Sequence, residues 1–73
     1  MNTTTPDTTR SKRQRAARAV RAEVERTSLA KAATRLGVGR PSCWRWFKAA
    51  AGEDGGRLPS SIYTRHILKV LAS

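Results

Sequence analysis

The chain has one cysteine, one histidine, five acidic residues and no extended apolar run. Each shortage excludes something. A single cysteine, Cys43, cannot close an internal disulfide, so packing alone must hold the fold. With His66 as the sole imidazole there is no Cys and His set at zinc-ligand spacing, and neither a metal nor another cofactor is expected. A nucleophilic Cys43–His66 pair is disfavoured because Cys43 lies among apolar neighbours in a helical stretch, which suits a structural or surface role. Glu53 and Asp54 share a glycine-rich turn and lack partners at catalytic spacing. No catalytic residue is assigned, and the chain reads as a non-enzyme without a small-molecule ligand. The apolar residues never approach the roughly 18 in a row that span a bilayer, and no hydrophobic segment of a secretion signal follows Met1. A soluble, cytoplasmic protein is expected.

What is present is positive charge. Fifteen lysines and arginines against five acids give a formal charge of +10 in 73 residues and a pI near 11.6, so a polyanion is the natural partner and nucleic acid leads. So short a chain has room for one small domain with a marginal core. Alanine is the commonest residue in its hydrophobic fraction of 38%, which fits close helix contacts. An all-α, small four-helix domain is expected, stabilised further by self-association or a partner.

Threonine-rich residues 1–11, with Pro6 and no apolar periodicity, read as a disordered N-terminal arm, and 12–73 as the folded domain. The stretch "RSKRQRAARAVR" (Arg10–Arg21) holds six basic residues and no acid. A first helix over about Lys12–Arg26 would place Ala17, Val20 and Val24 on one side and Arg15, Arg18, Arg21 and Arg26 around the rest. Thr27 or Ser28 can cap a second helix, Leu29–Leu36, whose inward face is Leu29, Ala32, Ala33 and Leu36. Gly37 stands where a helix turns left-handed to stop. Pro41, tolerated only in a first turn, forces the third helix to start near Gly39 or Arg40, and it should stop near Gly52. Beyond the "GEDGG" turn, Pro59 and Ser60 open a fourth helix with Ile62, Tyr63, Ile67, Leu68, Val70 and Leu71 at helical spacing. That helix should complete the core, leaving any remainder for a dimer contact.

Two short helices joined by a glycine-containing turn of three to four residues have the layout of a helix-turn-helix, whose second helix enters the DNA major groove. In "LAKAATRLGVGRPSCWRWFK" (Leu29–Lys48), Ala33 is the small residue where the helices meet, Gly37 makes the corner, Val38 tucks beneath it, and Cys43 and Trp46 face the core. These residues resemble small phage repressors of the Cro and CII type, which pair an "LGV"-like corner with an inward tryptophan further on. In layout the chain is most similar to the anti-CRISPR-associated autorepressors, through "RLPSSIYTRHILKVLA" to about Ala72. The resemblance implies a homodimer in a bacterial host cell that binds an inverted-repeat operator and represses its own operon. Two features depart from the pattern: Gly39 where a capping serine or threonine is frequent, and Trp44, bulky for an outward face.

If Cys43 and Trp46 face inward, Arg40, Pro41, Ser42, Trp44, Arg45 and Lys48 line the outer surface. Arg45 is the first choice for base recognition, because a guanidinium can pair with both O6 and N7 of guanine. Arg40 can reach a base or a phosphate, and Ser42 suits either. Trp44 can press on a thymine methyl or the sugar-phosphate wall, or pack against the loop or a second subunit. Trp46 and Phe47 are assigned to the core. Lys48, Lys31 and Arg35 are phosphate candidates, Arg35 being equally readable as a solvated residue. Arg10, Lys12 and Arg13, on a free arm, can follow the backbone or enter a minor groove. The alternatives are a nonspecific nucleic-acid binder, an antitoxin-type protein-interaction module, and a cationic membrane-active peptide, the last weakened by the helix-stopping glycines.

Overall fold

A computed structural model describes residues 4–71, with side chains from Arg10 onward. It contains four helices, α1 (Thr4–Arg26), α2 (Leu29–Leu36), α3 (Arg40–Ala51) and α4 (Ser61–Leu71), and no strand among the described residues. None of these helices is long and apolar enough to cross a membrane. The longest, α1, packs against each of the other three.

α1 begins at Thr4, well before the expected start at Lys12. Of the arm expected over 1–11, residues 4–11 are part of the helix, and residues 1–3 lie outside the described residues. Pro6 falls in the first turn, where a missing amide hydrogen costs nothing because no carbonyl lies one turn back to receive it. The threonines after it lower helix propensity without forbidding it. Toward its other end the helix buries Ala16, Ala17 and Val20 completely. The small alanines let the neighbouring helices come close.

Ser28, not Thr27, caps α2. Its backbone is extended and its hydroxyl accepts from the Lys31 amide at 3.1 Å, while the Thr27 hydroxyl donates to the Glu23 carbonyl at 2.8 Å. At the other end Gly37 has φ of 71°, and the Val38 amide reaches back to the Ala33 carbonyl at 3.0 Å. A side chain at Gly37 would strain the backbone by about 1–2 kcal/mol. Three residues, Gly37, Val38 and Gly39, separate α2 from α3. Gly39 caps α3 without a side-chain hydrogen bond, and Pro41 lies in the first turn.

The core gathers Ala16, Val20, Ala32, Ala33, Leu36, Cys43, Trp46 and Ile67. Of the fully buried side chains Leu36 and Ile67 are the largest, each worth about 1.5–3 kcal/mol on burial. Leu29 and Val38, expected inside, are half-buried against this cluster, as are Leu68, Val70 and Leu71. α4 contributes less than its composition promised: Ile62 is 80% exposed and Tyr63 46%, because only the Thr64 and Ile67 side turns fully inward. A 2.7 Å hydrogen bond between His66 Nε2 and the Leu36 carbonyl ties α4 to the end of α2.

Residues 52–60 lie back along α3. Pro59 is buried just before α4, not inside its first turn, and Ser60 is the cap, its hydroxyl accepting from the Tyr63 amide at 3.3 Å. The Arg57 amide donates to the Arg45 carbonyl at 3.1 Å. Gly56 rests directly on α3, so a Cβ there would collide with the Ala49 amide nitrogen and come within 2.7 Å of Ala49 Cα and the Lys48 carbonyl carbon. Backbone cannot rotate away from such an overlap. Gly56→Ala is therefore expected to destabilise the domain by about 1–3 kcal/mol. Gly39→Ser, which supplies the missing cap at a permitted φ of −72°, should instead stabilise by a few tenths. Thermal unfolding of the two variants beside the parent checks both signs.

Candidate nucleic-acid interface

The helical period divides α3 into two sides. Cys43 and Trp46 are buried, while Arg40, Pro41, Trp44 and Arg45 are exposed. Burial pushes the Cys43 thiol up, away from the reactive thiolate, so its role is to fill space rather than to meet solvent.

Trp44 belongs to a stack. Its ring lies 5.2 Å from that of Phe47 at an interplanar angle of 9°. The Arg21 guanidinium of α1 sits 5.9 Å from the Phe47 centroid, and Lys48 Nζ sits 5.4 Å from the Trp44 centroid. Phe47, expected in the core, is thus half-buried within this ladder. Lys48, expected as a free phosphate contact, is also half-buried, its charge resting on an aromatic face. The stack holds Trp44 in one orientation, 41% exposed. With Leu29, Arg40 and Pro41 it lines a shallow hollow between the starts of α2 and α3.

Ser42 and Arg45 line a second depression, of about 270 Å³, with Arg13, Arg57, Ser60 and Tyr63. Tyr63 is oriented by its ring contact with Trp46, 5.3 Å between centroids. The sequence pattern does not mark Arg57 or Tyr63 as site residues. Arg57 follows a segment legible only as a turn, and the apolar spacing of α4 assigned Tyr63 to packing.

Two expected phosphate contacts are engaged elsewhere. Arg13 is on α1 rather than on a free arm, and its Nε donates to the Pro59 carbonyl at 2.8 Å. Arg35 Nη1 lies 3.2 Å from Glu23 Oε2, and Arg26 Nη2 meets both Glu23 oxygens at 2.8 and 2.9 Å. Glu23 is only 8% exposed. It joins α2 to α1, and hydrogen bonding from Arg26, then from Arg35, holds its carboxyl below the usual carboxylate range despite the opposing cost of burial.

Lys31, in the first turn of α2, and Arg10 and Lys12 on α1 are exposed. Among the described residues no carboxylate pairs with Lys31, Arg40, Arg45 or Arg57. Those residues contain no cluster of ligating side chains able to hold a metal ion. No protein-family model matches the chain, and no curated protein or solved structure is significantly similar to it.

The depressed Glu23 titration has a direct consequence. A carboxyl whose folded pKa lies below its unfolded value adds stability that is complete above the ordinary carboxylate range and is lost as the pH falls through it. Replacing it by the neutral amide, Glu23→Gln, should cost about 1–2 kcal/mol at pH 7, the arginines' exposure screening the pair. The gap from the parent should narrow as the pH falls below the ordinary carboxylate range. Urea unfolding at pH 7, 5 and 3 measures it, and a gap independent of pH would remove the charge from the account.

Proposed function

We propose that the chain is a sequence-specific double-stranded DNA-binding protein, a transcriptional repressor of the small phage or mobile-element type. In this reading α2, the Gly37 turn and α3 act as a helix-turn-helix, and α3 lies in the major groove. The observation that carries it is the outer side of α3: Arg40, Trp44 and Arg45 are exposed without carboxylate partners among the described residues, while Cys43 and Trp46 anchor the opposite side. An α-helix with its side chains, about 10–12 Å across, matches a major groove about 12 Å wide.

Arg45 is the base reader, Arg40 takes a base or a phosphate at the helix start, and Ser42 and Trp44 flank them. Lys31 grips a phosphate from α2. Arg10 and Lys12, carried on α1, contribute general attraction. The protein acts as a homodimer on an inverted repeat, with half-sites about 34–36 Å apart. It represses by occupying the promoter. Exposed Ile62 on α4 offers apolar surface for the dimer.

Selection from a random duplex pool, followed by competition between the selected duplex and a scrambled one at 0.15 M salt, tests the proposal. A preference on the order of 10³ or more is expected; equal affinities would leave a nonspecific nucleic-acid binder. Arg45→Ala should relax discrimination at one base position by about 1–3 kcal/mol. Removing both Arg10 and Lys12 should weaken all duplexes alike and shallow the salt dependence. If Arg45→Ala weakened every sequence equally, Arg45 would be a phosphate contact instead.

A further inference from the structure

Beside the outer face of α3 runs the depression lined by Arg13, Ser42, Arg45, Arg57, Ser60 and Tyr63. Its charge is one-sided. Three guanidinium groups, two aliphatic hydroxyls and a phenol surround it over an apolar floor of Trp46 and Leu58, and no carboxylate is among its lining residues. At Glu23, by contrast, a buried carboxylate stands between Arg26 and Arg35. Here the cations stand together unbalanced, an arrangement that an anion relieves.

The depression is also built from fixed parts. Gly56 lies against the α3 backbone, and the Arg57 amide bonds to the Arg45 carbonyl, so the loop has one position on the helix. The Arg13 bond to the Pro59 carbonyl, at 2.8 Å, fixes the far wall, and Trp46 orients Tyr63.

We infer that this depression is a phosphate-binding site, with Arg57 and Tyr63 as its outer ligands and the nucleic-acid backbone as its occupant. The inference rests on the DNA-binding reading for the source of the phosphate, though not for the anion chemistry. A helix that fills a major groove has a phosphate wall along each side, and the element flanking α3 on this side is the 52–60 loop with the start of α4. Arg57 supplies charge-assisted hydrogen bonds, and Ser42, Ser60 and Tyr63 supply neutral donors, while Arg45 at the rim stays directed to the bases. Such a contact fixes register without reading sequence.

The test pairs Arg57→Ala, whose backbone hydrogen bond to Arg45 survives the change, with Arg65→Ala, which removes the same charge from the other side of α4. Affinity for the selected and the scrambled duplex is measured between 0.05 and 0.3 M salt. Arg57→Ala should weaken both by the same factor, about 3- to 10-fold, and reduce the salt slope by about one. Tyr63→Phe should weaken both less, and Arg65→Ala should leave the slope unchanged. Equal slopes for parent and Arg57→Ala, or a loss confined to the selected duplex, would overturn the site. Inorganic phosphate alone provides an arm independent of DNA. In amide NMR it should shift Ser42, Arg45, Arg57 and Tyr63 in the parent and not in Arg57→Ala. If neither duplex binds, the DNA-binding reading fails, and this titration decides the depression by itself: localised shifts support it, and their absence overturns it.

Discussion

The contact of α1 with the other three helices is the constraint on which the rest depends. It is made with very small side chains: Ala16 and Ala17 are buried completely, and Ala32 and Ala33 line the facing part of the core. Alanine brings helices close but removes little apolar area from water, so this core stabilises weakly for its contact area. A domain of 73 residues has few larger groups with which to compensate. Directional ties fill the deficit: Arg13 to the Pro59 carbonyl, Glu23 to Arg26 and Arg35, and His66 to the Leu36 carbonyl. Of these, Glu23 to Arg35 and His66 to Leu36 join α1 with α2 and α2 with α4, pairs that pack less extensively than α1 does on α3 or α4.

These ties also sort the cations. A chain with ten excess positive charges repels itself, and the folded state must either neutralise that charge or spread it into solvent. Arg26 and Arg35 share one buried carboxylate, Glu23, and Arg21 pairs with Glu25 at 3.3 Å. Lys48 and Arg21 additionally rest against aromatic rings. Arg40, Arg45, Arg57 and Lys31 receive no such partner among the described residues. The proposed DNA-binding reading and the proposed phosphate site both draw on that remainder. The cations that hold the bundle together and those left for a partner have Arg13 alone in common, tied to the Pro59 carbonyl and lining the proposed phosphate site.

Local chemistry made much of the fold legible. Gly37 and Pro41 act within one turn of themselves, so α2 ends and α3 begins where they require, whatever surrounds them. Period-3.6 burial of Ala32, Leu36, Cys43 and Trp46 follows from the pattern alone. Legibility failed where an outcome depended on distant chain. Thr4–Ser11 carries no apolar stripe, and its continuation of α1 had no signal beyond the tolerance of Pro6 in a first turn. Phe47 reads as core from its spacing, but Trp44 and Arg21 draw it into a stack at the edge.

By itself, then, the sequence determined the helical class, the number and order of the helices after the first, the turn at Gly37, and the excess of positive charge. All of these depend on composition or on neighbours within one helical turn. Which arginines are consumed and which remain was decided only by tertiary structure. Arg13 and Arg35 look the same as Arg45 along the chain, but Pro59 lies 46 positions from Arg13, and Glu23 lies 12 from Arg35. A guanidinium is long and flexible enough to take whichever acceptor folding brings within reach, and that acceptor is set by how the helices dock.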